Sequence, residues 1–119
     1  MDLEQEIKNL TSELFPYLID VRRYLHQNPE LSFKEFNTSK YLQTQLSNHN
    51  ISFISNIAGT GIVATIEGQN PKSNCILLRA DMDALPIQET NNVTYKSKND
   101  GVMHACGHDV HSTCILGAA

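Results

Sequence analysis

Residues Met103-His104-Ala105-Cys106-Gly107-His108-Asp109-Val110-His111-Ser112-Thr113 hold three of the chain's five histidines, one of its three cysteines and an aspartate. Cys106 and His108 lie two apart around Gly107. In an extended strand end or loop, residues i and i+2 project to the same side, so thiolate and imidazole can reach one point. Such a pair suits Zn²⁺ or a similar late first-row divalent ion. His104 lies two residues earlier and could share that side. His111 follows three after His108 on what reads as a helix, and Asp109 stands between them. The plainer reading carries equal weight at this point. One Cys-x-His pair lacks the four ligands of a closed zinc site, and cysteine is often a small buried hydrophobe.

A second cluster lies upstream. Cys75-Ile76-Leu77-Leu78 is a continuous apolar run of strand length, which suggests a central strand buried on both faces. It runs into Arg79-Ala80-Asp81-Met82-Asp83, and in open α/β sheets working groups gather beyond the carboxyl ends of strands. Asp81 and Asp83 share a side. They could bind metal directly or orient a metal-ligating imidazole through its other nitrogen. The competing reading pairs Asp81 with Arg79 or uses it to cap a turn.

The elements that must position these groups are legible in outline. Leu3, Ile7, Leu10, Leu14, Leu18, Val21 and Leu25 form an amphipathic stripe, read as core packing, which Pro16 should kink or split. Asn28-Pro29 stops that helix. Ser32-Phe33-Lys34-Glu35 has the form of a capping box and predicts a second helix over about residues 33–48, burying Phe36, Tyr41, Leu42 and Leu46. His49-Asn50 ends it. Strands follow at Ile51–Ile54 and Ile62–Ile66 about a Gly59-Thr60-Gly61 hairpin turn, with another turn at Gly68-Gln69-Asn70-Pro71. The two glycines of the hairpin lack the third glycine or Lys-Ser/Thr of a phosphate loop. Residues 88–101 read as a loop. Asp109 is expected as the N-cap of a helix starting at Val110, which reaches Ala119 with no stop signal, so the chain is expected to continue beyond that residue.

Composition narrows the class. The 119 residues suffice for one small domain, and 40% hydrophobic with 18% charged residues marks a globular chain. A net charge of −4 and no basic cluster longer than Arg22-Arg23 argue against a nucleic-acid surface. No apolar run approaches a membrane span, and the acidic N-terminus is no secretory signal. Three cysteines without an export signal point to reduced thiols in a cytoplasm.

Four stretches together resemble one family. They are Arg22-Arg23-x-x-His26-x-x-Pro29-Glu30-Leu31-Ser32-x-x-Glu35, Thr60-Gly61-Ile62-Val63-Ala64, the run from Leu77 to Pro86, and Met103 to Asp109. In this order they resemble the amidohydrolases that include hippurate hydrolase, N-acyl-L-amino-acid amidohydrolases and indole-3-acetic-acid–amino-acid hydrolases. These are a branch of the di-metal aminoacylase and carboxypeptidase group of zinc peptidases. The resemblance implies an α/β fold: the N-terminal part of a catalytic domain, with two helices, then strands of a mixed sheet and the start of a further helix. It implies a metal-dependent hydrolase that cleaves the amide of N-acyl amino acids such as acetyl or benzoyl conjugates. Two divalent ions would activate a bridging water and polarise the carbonyl. They would be Zn²⁺ or Mn²⁺, with Co²⁺ or Ni²⁺ as alternatives.

Cys106 and His108 match the family's first two metal ligands, and Asp83 matches the aspartate that orients a ligand. Asp81 stands where related di-zinc peptidases have a histidine ligand. Asp81, His104, Asp109 and His111 are therefore carried as further candidates. The resemblance covers about the first third of a family member. It implies that the general-base glutamate, the later histidine ligands and a smaller pairing and lid domain lie beyond residue 119. Glu67 and Glu89 sit in the wrong motifs to replace that base. The isolated 119 residues are accordingly expected to be inactive, and the full-length protein is expected to be a homo-oligomer. The alternatives are a non-catalytic metal-binding remnant and a half-enzyme that needs a complementing chain.

Overall fold

The computed structural model describes residues 2–70 and 72–119. Its first element, α1 (Leu3–Gln27), begins where the Asp2 carboxylate accepts the Glu4 N–H at 3.1 Å. Glu4 and Glu6 in the first turn face the positive end of the helix dipole. The helix runs unbroken through Pro16, so the predicted split does not occur. Proline removes a single N–H from the ladder, and the flanking turns carry the helix across it. The stripe is only half used. Val21 and Leu25 are buried and Leu14 and Leu18 half-buried, whereas Leu3, Ile7 and Leu10 are exposed. Core packing therefore holds for the second half of α1 and fails for the first.

The second helix, α2 (Phe36–Asn48), starts later than the capping box predicts. Glu30 does the capping: its carboxylate accepts the Thr38 N–H at 2.6 Å, the Thr38 hydroxyl at 2.7 Å and the Asn37 N–H at 3.2 Å. Glu35 turns away instead and accepts the buried Thr60 hydroxyl at 2.9 Å, tying the helix start to the hairpin. Phe33 adopts φ 62°, which keeps residues 32–35 out of the helix. Leu46 is buried and Tyr41 and Leu42 are half-buried as predicted, but Phe36 is exposed. Asn50, in the left-handed region at φ 57°, ends the element, and the Ile51 N–H bonds back to the Leu46 carbonyl at 3.0 Å.

Strands β1 (Ser52–Ile57) and β2 (Gly61–Thr65) form the expected antiparallel hairpin, with Ser52 opposite Thr65 and Ile54 opposite Val63. A Cβ on Gly61 would lie 2.7 Å from the Ile57 carbonyl oxygen, so that position requires glycine. The predicted turn at Gly68–Pro71 includes Pro71, which lies outside the described residues. Beyond it, Cys75–Leu78 is not part of a ladder, and Ile76 and Leu77 are 85% and 84% exposed. A strand exists only when a neighbour takes up its backbone groups. Among the described residues the sheet has two antiparallel strands that pair with each other.

The segment that follows is held. Ala84 N–H donates to the Glu30 carbonyl at 2.8 Å, and Leu85 and Met103 exchange two backbone hydrogen bonds of 3.0 Å. These bridges lay residues 83–85 beside the 103–108 stretch. The last helix, α3 (His108–Ala118), packs against α1, where a Cβ on Gly117 would fall 2.9 Å from Leu18 Cδ1. It begins at His108, two residues before the predicted start, because Gly107 takes the N-cap position at φ 96°.

Candidate metal centre

The bridged backbone sets Asp83 against His108. His108 Nδ1 lies 3.0 Å from Asp83 Oδ1 and 2.9 Å from the Asp83 carbonyl oxygen. One turn along α3, the Ser112 hydroxyl donates to the Asp81 carbonyl at 3.0 Å. Positions i and i+4 share a helix face, so α3 grips residues 81–83 at two points. With Nδ1–H given to these oxygens, the His108 lone pair stands on Nε2, which has no partner among the described residues. Cys106 is an exposed free thiol two residues earlier.

The other candidates fall elsewhere. Asp81 pairs with Arg79 at 2.5 Å in an exposed contact, the plainer of its two readings. Exposed pairs of this kind contribute little to stability. His111 is exposed, with its ring centroid 6.0 Å from that of His108. His104 is buried with neither ring nitrogen hydrogen-bonded, and burial pushes its pKa below the usual histidine range. Asp109 is buried in the first turn of α3 rather than at its N-cap. One of its oxygens accepts the Val110 N–H at 3.0 Å. The other accepts from His26 Nδ1 at 2.7 Å and from Arg22 Nε at 3.1 Å.

Among the described residues, no three His, Cys, Asp or Glu side chains gather about one point. The donors nevertheless fit a divalent ion as part of its shell. A histidine whose second nitrogen is held by a carboxylate, with the first left free, has the orientation and tautomer of a metal ligand. An exposed thiol supplies a donor suited to zinc.

Residues 77–119 match the model of Peptidase family M20/M25/M40. The chain is 46% identical to thermostable carboxypeptidase 2 of Saccharolobus solfataricus, over all of this chain and 30% of that protein. It is 45% identical to the N-acyl-L-amino acid amidohydrolase of Geobacillus stearothermophilus, over 98% of this chain and 31% of that one. Its fold superimposes on the solved structure of Bacillus subtilis YxeP, described as a dinuclear metal binding peptidase from the M20 family. The TM-score is 0.79 at 42% identity, covering 88% of this chain and 30% of that one. The chain is similar to M20 peptidases and amidohydrolases. It spans about 30% of the length of the curated relatives it matches.

Motif spacing does not reveal a second assembly that lies behind the Cys106–His108 turn. His26 is buried between two carboxylates, with Nδ1 on Asp109 and Nε2 at 3.1 and 3.2 Å from the two oxygens of Glu89. Glu89 is 1% exposed and also accepts the Ser97 N–H at 2.8 Å and the Asn91 amide at 3.2 Å. Burial alone would raise its pKa, but the hydrogen bonds from Ser97, His26 and Asn91 outweigh that and hold it below the usual carboxylate value. Tyr95 closes the cluster: its ring stands edge-on to His26, with the Arg22 and Arg23 guanidinium carbons 5.2 and 4.9 Å from its centroid. One signal was available in the sequence. Arg22 and His26 are four apart on α1 and directly follow the buried Val21 and Leu25, so a histidine there needs buried partners.

Proposed function

We propose that residues 1–119 form the N-terminal portion of the catalytic domain of a metal-dependent amidohydrolase acting on N-acyl amino acids. Cys106 and His108 hold metal, and Asp83 fixes the His108 tautomer. The observation that carries the reading is the His108–Asp83 contact of 3.0 Å, in a chain whose relatives include an N-acyl-L-amino acid amidohydrolase. We assign the general base and the remaining ligands to residues outside 1–119, because two donors cannot fill a two-metal site. Zn²⁺ suits the thiolate and imidazole pair, Mn²⁺ enters as an alternative through the resemblance alone, and the full-length enzyme is a cytoplasmic homo-oligomer.

The chain's own residues perform defined tasks in this scheme. Asp83 accepts the His108 Nδ1–H and directs the Nε2 lone pair outward. Cys106 loses its thiol proton on ligation and thereby offsets part of the ion's charge. When bound, the ions supply Lewis acidity to the amide carbonyl and lower the pKa of the attacking water. Asp109 and Ser112 seat the helix that carries His108.

Cys106→Ala in the full-length protein is expected to lower both bound metal and hydrolysis of N-acetyl and N-benzoyl amino acids. Elemental analysis and an amine-release assay read the two effects. Full metal occupancy with normal turnover would remove Cys106 from the site.

A further inference from the structure

We infer that His26, 82 residues before His108 in the chain, is a positioning residue for the metal-binding turn and not merely a buried structural histidine. The inference rests on the reading that Cys106 and His108 are ligands. His26 holds Asp109 at 2.7 Å, and Asp109 is bonded through the backbone to His108. Consecutive residues on a helix point about 100° apart. Asp83 and Ser112 therefore fix α3 on one side, while His26 fixes it on another through Asp109.

The need for the second hold is geometric. Gly107, just before the helix, sits at φ 96° and gives the helix start a conformationally permissive pivot. Side chains end roughly 5–6 Å from a helix axis, so a rotation of about 10° moves a ligand atom by about 1 Å. Metal–ligand distances tolerate only about 0.2 Å. The Asp83–His108 contact is half-buried and cannot define the rotation alone, whereas the His26–Asp109 contact is buried at both ends.

The assembly is built as a clamp. Both ring nitrogens of His26 face carboxylate oxygens. Arg22 joins Asp109 from the same face of α1. Glu89 anchors the far nitrogen to a loop that is itself tied to α1: Lys98 N–H donates to the Gln27 carbonyl at 2.9 Å, and the Asn99 amide donates to the Pro29 carbonyl at 2.7 Å. His26 thus transmits the placement of α1 and of this loop to the first turn of α3.

The test uses Co²⁺ in the full-length protein. Affinity is read by competition with a chelator, and Cys106 ligation by the thiolate-to-cobalt charge-transfer band. Circular dichroism and melting of the metal-free protein are measured in parallel. His26→Gln keeps one hydrogen bond and should stay folded while losing roughly 10-fold in Co²⁺ affinity, with a weakened or shifted band. Glu89→Gln should move both readouts in the same direction by less. Unchanged affinity and band in both variants, with only a lower melting temperature, would overturn the positioning role. If His26→Gln does not fold, Glu89→Gln decides on the same two readouts. A parent protein whose spectrum matches that of Cys106→Ala would instead overturn the ligand reading itself, and the clamp with it.

Discussion

His108 and Asp109 are neighbours in the chain with opposite surroundings. His108 is half-buried, leans on Asp83 and leaves one nitrogen without a partner among the described residues. Asp109 is 2% exposed, and its oxygens are filled by Val110, His26 and Arg22. The helical rotation between them separates their surroundings: one face of the first turn is partly exposed, and the other is tied into the protein. A satisfied buried cluster holds its geometry, whereas His108, two residues from the free thiol of Cys106, keeps a nitrogen without a partner among the described residues. The first turn of α3 is thus held on both sides, by Asp83 at a half-buried contact and by His26 at a buried one.

That contrast can be broken from either side. The largest effect is expected from His26→Ala, which strips a partner from two buried carboxylates. Leaving a buried acceptor without its hydrogen bond costs about 1–3 kcal/mol, and more where the group is charged, read as a shift in the urea midpoint. A loss below about 1 kcal/mol would mean that the cluster is wet and the two sides are not so different. Asp83→Asn attacks the open side and should leave folding nearly unchanged while lowering metal affinity about 10–100-fold. Measured by chelator competition, an unchanged affinity would move Asp83 to a purely structural role. The smallest effect is expected from pH. Glu89 has its pKa lowered in the folded state, so its contribution is complete above the unfolded carboxylate value near 4.3 and is lost as pH falls through the folded one. Comparing acid unfolding of the parent with Glu89→Gln should show the difference shrinking only below about pH 4.3. A difference that persists unchanged below that range would contradict the folded-state ionisation.

How much of this was legible depends on the range of the interaction. The hairpin was, because Gly59-Thr60-Gly61 sits between two apolar runs, but the irregularity in its register between Ile54 and Ile57 was not. Helix α1 was legible from its stripe, but which half of the stripe is covered depends on α3, and periodicity is silent on that. The start of α2 was misread because Ser32 and Glu35 have the spacing of a local capping box, while the cap comes from Glu30 across a bend at Phe33. Cys75–Leu78 has the composition of a buried strand, yet a strand is completed by its neighbours, and among the described residues none lies beside it. Cys106, His108 and Asp83 are candidates from spacing and resemblance, since two of them are two residues apart and the third follows an apolar run; the structure adds the contact between His108 and Asp83. The clamp was not found: His26, Glu89 and Asp109 are separated by 63 and 83 residues from their partners, and no local pattern joins them.

The central claim is that Cys106 and His108 take up metal on the open side of this turn. X-ray absorption at the zinc edge of the full-length protein loaded with Zn²⁺ tests it most directly. The expected result is a sulfur scatterer at about 2.3 Å that disappears in Cys106→Ala. A shell of nitrogen and oxygen alone, identical in parent and variant, would contradict it.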